Sequence, residues 1–136
     1  MNNLFNQNTD DALRQSIMGI NAAYGIGGIE RFSGMTLKTL DRLAEHGFID
    51  LEASFNRSPK MRAFKNFMER HVGEGITAHG YAVSPERADC CIVIEGLEAQ
   101  SPNRDFRAEF TLVFEEADEL DCEMEHDTAR QYCWYD

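Results

Sequence analysis

A chain of 136 residues, 43% hydrophobic and 27% charged, has an ordinary globular composition, which excludes wholesale disorder and leaves room for a real core. Its formal charge of −11 sits in one half: residues 1–72 hold nine basic and eight acidic side chains, residues 73–136 four and sixteen. Such a surface repels duplex DNA and anionic membranes and attracts cations or basic proteins.

No run of about 18 apolar residues is present and "MNNLFNQNTDD" lacks a signal-peptide pattern, so a cytoplasmic chain with no membrane association is expected. In that setting Cys90, Cys91, Cys122 and Cys133 are expected as reduced thiols, and the absence of a CxxC spacing argues against structural zinc.

Thr9 is a good N-cap, Asp10 and Asp11 suit a helix N-terminus, and Leu13, Ile17, Ile20 and Tyr24 recur at helical spacing up to Gly25, predicting a helix over about 9–23. "YGIGGIERFSG" follows. A phosphate-cradling loop leaves a strand and opens a helix bearing Lys and Ser/Thr, whereas this one leaves a helix, so it reads as a flexible connection between helices.

"MTLKTLDRLAEHGFIDLE" predicts a second helix with Leu37, Leu40, Leu43 and Ala44 on one side and Gly47 as terminator. With Phe48 and Ile49 it resembles the recognition helix and first wing strand of winged-helix DNA-binding proteins. That resemblance implies a DNA-binding regulator using residues 37–49. The second wing strand does not follow; "RSPKMRAFKNFMERH" instead predicts a third helix, with Ser58 as N-cap, Pro59 at the first helical position and Met61, Phe64, Phe67 and Met68 along one face. Lys38, Arg57, Lys60, Arg62 and Lys65 are the candidate phosphate contacts of this alternative, or else the solvated side of amphipathic helices.

From Gly73 onward the period changes from 3.6 to 2. Strands are predicted at Ile76–Val83, Cys90–Leu97, Phe106–Phe114, within "LDCEMEH" and within "ARQYCWY". The expected architecture is a single α+β domain over 1–136: about three N-terminal helices (about 9–72) packed on a C-terminal antiparallel sheet of four to five strands (about 76–135), connected as a meander.

"EEADELDCEMEHD", Glu115 to Asp127, has eight carboxylic acids in thirteen residues. Strand alternation sends Leu120, Cys122, Met124 and His126 to the core and lines Asp121, Glu123, Glu125 and Asp127 along the outer face about 6.6 to 7 Å apart. Glu109, read as outward on the preceding strand beside Arg107 and Thr111, widens the row. A calcium loop needs converging oxygens and a Gly-centred turn, which this stretch lacks. The row is either an imitation of phosphate spacing that engages a basic nucleic-acid-handling protein, or a charged surface that keeps strands from adding to other chains.

Across a turn at Asp127 and Thr128, Glu125 faces Arg130 and Glu123 faces Tyr132, leaving Tyr132 and Trp134 on the acidic face as receivers for arginine; a register shifted by one sends both rings to the core instead. The expected partner-binding set is therefore Glu109, Asp121, Glu123, Glu125, Asp127, Tyr132 and Trp134.

His46, His71, His79 and His126 fall in no catalytic pattern, Cys122 and His126 lie about 13 Å apart at strand rise, and no nucleophile elbow or P-loop occurs. A non-enzyme with no catalytic residue, metal or cofactor is expected. "YAVSPERADCCIVIEGLE", "FEEADELDCE" and "YCWYD" resemble segments of small acidic proteins of unknown function carried by bacterial conjugative and other mobile elements. That resemblance implies an accessory protein of a bacterial cytoplasm, where inhibitors of host DNA defence are often encoded beside transfer genes.

Overall fold

The computed structural model describes residues 5, 7–25, 27–55, 57–87, 91–122 and 130–136. Along the chain run helix α1 (Asp11–Met18), strand β1 (Ile29–Met35), helices α2 (Leu37–Glu45) and α3 (Met61–Arg70), strands β2 (Thr77–Val83) and β3 (Ile92–Ala99), helix α4 (Arg104–Val113) and strands β4 (Glu119–Cys122) and β5 (Gln131–Trp134). The fold class is α+β. The five strands form one sheet in the order β1-β2-β3-β5-β4, every neighbouring pair antiparallel.

Several boundaries differ from the sequence reading, each for a local reason. The N-cap of α1 is Asp10, whose carboxylate accepts from Leu13 N, and Gly19 at φ 71° ends the helix six residues before Gly25, freeing Tyr24 for other partners. The glycine-rich segment is not a loop between helices: Ile29–Met35 pairs with β2 as an edge strand. Its register shifts between Phe32 and Met35, where Gly34 takes φ 70°, and the shift turns Met35 into the core.

Gly47, at φ 81°, follows the end of α2 as the sequence indicated, and the N-cap is Thr36, whose side chain accepts from Thr39 N. Phe48 and Ile49, 1% and 2% exposed, are then buried outside any strand, and Phe48 O accepts from Ile92 N at 3.2 Å. The wing strand implied by the winged-helix resemblance is therefore absent at that point. Ser58 does not cap α3; its Oγ accepts from Phe55 N and donates to Pro59 O, closing the turn that precedes the helix, and the N-cap is Lys60.

The largest correction concerns Phe106–Phe114, which is helix α4 rather than a strand. Asn103 caps it by accepting from Asp105 N and Phe106 N, and Asp105 favours the N-terminal dipole. Phe106, Phe110 and Phe114 then recur at i, i+4 and i+8 and are 1%, 0% and 0% exposed, while Leu112, which a strand would have buried with them, is 69% exposed. The sheet is consequently not a meander: α4 and β4 intervene in the chain between β3 and β5, and β5 lies between β3 and β4.

One core unites these elements. Ile17, Leu40, Leu43, Met61, Phe64, Phe67, Met68, Phe106 and Phe110 from the four helices join Met35, Ala78, Ala82, Ile92, Ile94, Leu97 and Cys133 from the strands. Phe67 stands at its centre, with ring centroids 5.8 Å from Phe106, 5.8 Å from Phe110 and 5.0 Å from Phe114. The buried Gln131 side chain accepts from Ser101 N (2.9 Å) and donates to Ser101 O (3.1 Å), extending the β3–β5 ladder one step with an amide that imitates a backbone.

Among the described cysteines, Cys122 and Cys133 are free and Cys91 is disulfide-bonded, which corrects the expectation of reduced thiols throughout. Burial pushes the Cys133 thiol up to about 12. No helix among the described residues is long and apolar enough to cross a membrane.

Candidate functional site: the open face of the sheet

Strand alternation gives the sheet two faces. In β2, Ala78, Gly80 and Ala82 turn toward the helices, and Thr77, His79 and Tyr81 turn away. Registers carry this away-facing set across the sheet: Tyr81 opposes Arg31 of β1 and Val93 of β3, Thr77 opposes Glu98, Glu98 opposes Tyr132, and on β4 Asp121 opposes Tyr132 while Glu119 opposes Trp134. At one end of this face Phe55 and Ser58 come up to Tyr81, Val93 and Glu95. At the other, His79, Glu98, Arg130, Tyr132, Trp134 and Asp121 are half-buried and Glu119 is exposed.

Two irregularities in β3 build the site. A bulge opposite His79 and Gly80 places Glu95 and Gly96 side by side, which brings the Glu95 carboxylate, 9% exposed, to Arg31 Nη1 at 2.7 Å. Gly96 bears no side chain, so the His79 ring lies over it and Nε2 reaches Cys133 O on β5 at 2.9 Å. A Cβ at Gly96 would stand 1.8 Å from Cys133 O and 2.6 Å from His79 Nε2. Thus two rings on strands separated by β3 stack, with the His79 and Tyr132 centroids 4.8 Å apart and the planes within 7°.

Arg130 lies 4.5 Å from the Tyr132 centroid, donates from Nε to Glu98 at 3.0 Å and reaches Asp121 through Nη1 at 3.5 Å. Arg31 repeats the arrangement over Tyr81, 5.8 Å from its centroid, with Glu95 as its carboxylate. Burial lowers the pKa of His79, partly opposed by Cys133 O and Glu98. Burial first, and the Glu119 charge second, raise that of Tyr132. A surface of aromatic rings whose edges are lined by carboxylates is chemically suited to cations, through stacking and ion pairing together.

Of the sequence-predicted set, the sheet brings Asp121, Tyr132 and Trp134 to this face. Tyr132 pairs with Asp121 instead of Glu123, a slip of two residues, and because side chains alternate with period 2 the rings keep the acidic face. Glu123, Glu125 and Asp127 lie outside the described residues. Glu109 does not belong to the row: it sits on α4, where Arg70 at 2.8 Å and His71 at 2.8 Å hold its carboxylate below the usual range. Arg107 beside it is buried, 7% exposed, rather than outward, and its carbonyl accepts from the Thr111 hydroxyl at 3.0 Å.

Arg31, His79, Tyr81, Glu95 and Glu98 were not among the expected site residues. The alternation of "TAHGYAV" already grouped His79 with Tyr81, whereas the bulge at Glu95 has no sequence signature. The basic residues of the DNA-binding alternative are largely neutralised by their own molecule. Lys60 and Arg62 pair with Glu52 at 3.4 and 2.6 Å, and Lys65 with Glu69 and with Asp41, while Lys38 and Arg57 are exposed.

A polar cleft of about 610 Å³ lies elsewhere, between Asp11, Tyr24, Gly28, Ser84 and Arg87. Its Asp11 carboxylate is already engaged: although burial opposes it, hydrogen bonds from Tyr24 and Gln15 and the Arg14 guanidinium hold Asp11 below the usual range. Arg14, 3% exposed, also donates to Val83 O at 2.7 Å, so this cluster ties α1 to β2. No group of three or more His, Cys, Asp or Glu suited to a metal occurs among the described residues. No family model, curated protein or solved structure matches the chain.

Proposed function

We propose that this chain is a non-catalytic acidic binding module whose open sheet face engages a basic protein. The observation that carries the reading is the joint presence, on the one face the helices leave uncovered, of stacked His79 and Tyr132, of Trp134, and of the carboxylates Glu98, Glu119 and Asp121. Rings supply contact area at low entropic cost and the carboxylates supply the sign. Two arginines with four carboxylates leave this patch net negative, which favours a cationic partner over phosphate. The resemblance to mobile-element proteins supports a basic nucleic-acid-handling protein of a bacterial cytoplasm as that partner, with the acidic stretch from Glu115 imitating nucleic-acid charge.

The test is a pulldown from nuclease-treated bacterial lysate with the wild-type chain and with a double variant, Asp121→Lys with Tyr132→Ala. A basic nucleic-acid-binding protein retained at low salt, released at high salt and lost with the double variant supports the reading. Retention unaffected by the double variant, or retention of nucleic acid alone from untreated lysate, overturns it and returns the lead to the helical basic residues.

A further inference from the structure

The open face meets an arginine twice in the same way. Arg31 lies over Tyr81 with Glu95 as its counter-ion, and Arg130 over Tyr132 with Glu98 and Asp121. In each case a ring and a carboxylate on neighbouring positions of the sheet hold one guanidinium between them.

A third ring and carboxylate stand beside these. Trp134 on β5 is the direct antiparallel partner of Glu119 on β4, two residues along the same face from Tyr132 and Asp121. Directly opposed residues place their Cβ atoms about 4.5 to 5.5 Å apart. Glu119 is exposed and Trp134 half-buried, and among the described residues no cation lies over the indole and no ion pair engages Glu119. Indole is the strongest cation–π acceptor of the three rings, yet among the described residues it is the one with no arginine over it.

We infer that Trp134 and Glu119 form a third guanidinium seat, filled by an arginine side chain of the partner. The inference rests on the proposed binding face and specifies which group that face reads. Arginine rather than lysine follows from the two occupied seats: Arg130 stacks on its ring while Nε and Nη1 address two different carboxylates, which a compact, strongly hydrated ammonium does not reproduce. The intramolecular arginines also define the direction of approach, since of the four carboxylates placed on this face they already pair with Glu95, Glu98 and Asp121 and leave Glu119.

Trp134 is the chain's only tryptophan, so its fluorescence reports the seat directly. The full chain is titrated at low salt with two synthetic peptides of equal length and charge, one with arginine and one with lysine at every basic position. The arginine peptide is expected to shift the Trp134 emission and to bind about fivefold tighter than the lysine peptide. Glu119→Gln, a change at an exposed position, is expected to remove most of that preference, with an unchanged urea midpoint showing that the fold is intact. If the arginine peptide binds, and Tyr132→Ala weakens it, while Trp134 emission and Glu119→Gln make no difference, the seat is wrong and the binding face stands. If neither peptide binds, or no variant of the face alters binding, both fall together.

Discussion

The two faces of the sheet come from the same strands and obey the same alternation, yet they are built on opposite principles. On the covered face the small residues Ala78 and Ala82 join the phenylalanines of α3 and α4 in one buried apolar cluster. On the open face each of two tyrosines is in contact with an arginine, and each arginine with a carboxylate. The covered face stabilises by excluding water, so its energetics scale with area and with the quality of packing. The open face keeps its rings half-buried by stacking them on polar partners, which contributes little to folding and leaves them presentable to another molecule. A ring in the core works through packing; a ring held by charges at the surface stays accessible to solvent.

The comparison is broken most severely at Phe67. Phe67→Ala removes a ring that is 0% exposed and meets Phe106, Phe110 and Phe114, and a loss of about 3–5 kcal/mol is expected in urea unfolding. Gly96→Ala tests whether the faces are coupled through β3. Its Cβ would meet the Cys133 carbonyl at 1.8 Å, a backbone atom with little freedom to retreat, so a loss of about 1–3 kcal/mol should accompany loss of the His79–Tyr132 stack. Stability lost with the ring stack retained, as read from the His79 and Tyr132 proton shifts, would show that the glycine serves strand packing alone.

A pH titration sharpens the contrast further. Burial lowers the pKa of His79, so the folded chain binds fewer protons there than the unfolded one. Its contribution to stability is complete above about pH 6.5 and is lost as pH falls from there through the folded value. His79→Asn should therefore flatten part of the decline in urea midpoint below about pH 6.5; an unchanged slope would mean the imidazole is not the responsible group.

Smaller effects are expected at the surface. Glu98→Gln removes the nearer carboxylate from Arg130, but with Arg130 43% and Glu98 36% exposed the loss should stay within about 1 kcal/mol and shrink with added salt. Leu112→Lys should change stability by no more than about 0.5 kcal/mol, because α4 turns this side chain outward. A loss of several kcal/mol there would restore the strand reading of Phe106–Phe114.

That segment shows why part of the fold was illegible. Phe106, Phe110 and Phe114 satisfy a helical stripe, and the same residues with Ala108 and Leu112 satisfy strand alternation, so periodicity alone does not choose. The deciding signal was Asn103 with Asp105, a capping pattern inside a stretch that reads as a loop. The edge strand β1 was hidden for a different reason: its register shift at Gly34 breaks the alternation by which a strand is recognised, and its glycines read as a connection. At the site, Tyr132 and Trp134 reached the acidic face although their predicted partners were displaced by two residues, since an even slip preserves the face.

The sequence by itself determined the α+β class, the bodies of α2 and α3, the strands around His79, Ile94 and Tyr132, and the excess of carboxylates in the second half. These follow from local periodicity, capping and composition, which act over a few residues. Only the tertiary structure decided which strands lie side by side, that Glu109 belongs to α4 and pairs with Arg70 and His71, and that Arg31, Glu95 and His79 share a surface with Tyr132 and Trp134. Such neighbours come from strand order, a bulge and the missing side chain at Gly96, and each depends on contacts between residues tens of positions apart that no local pattern encodes.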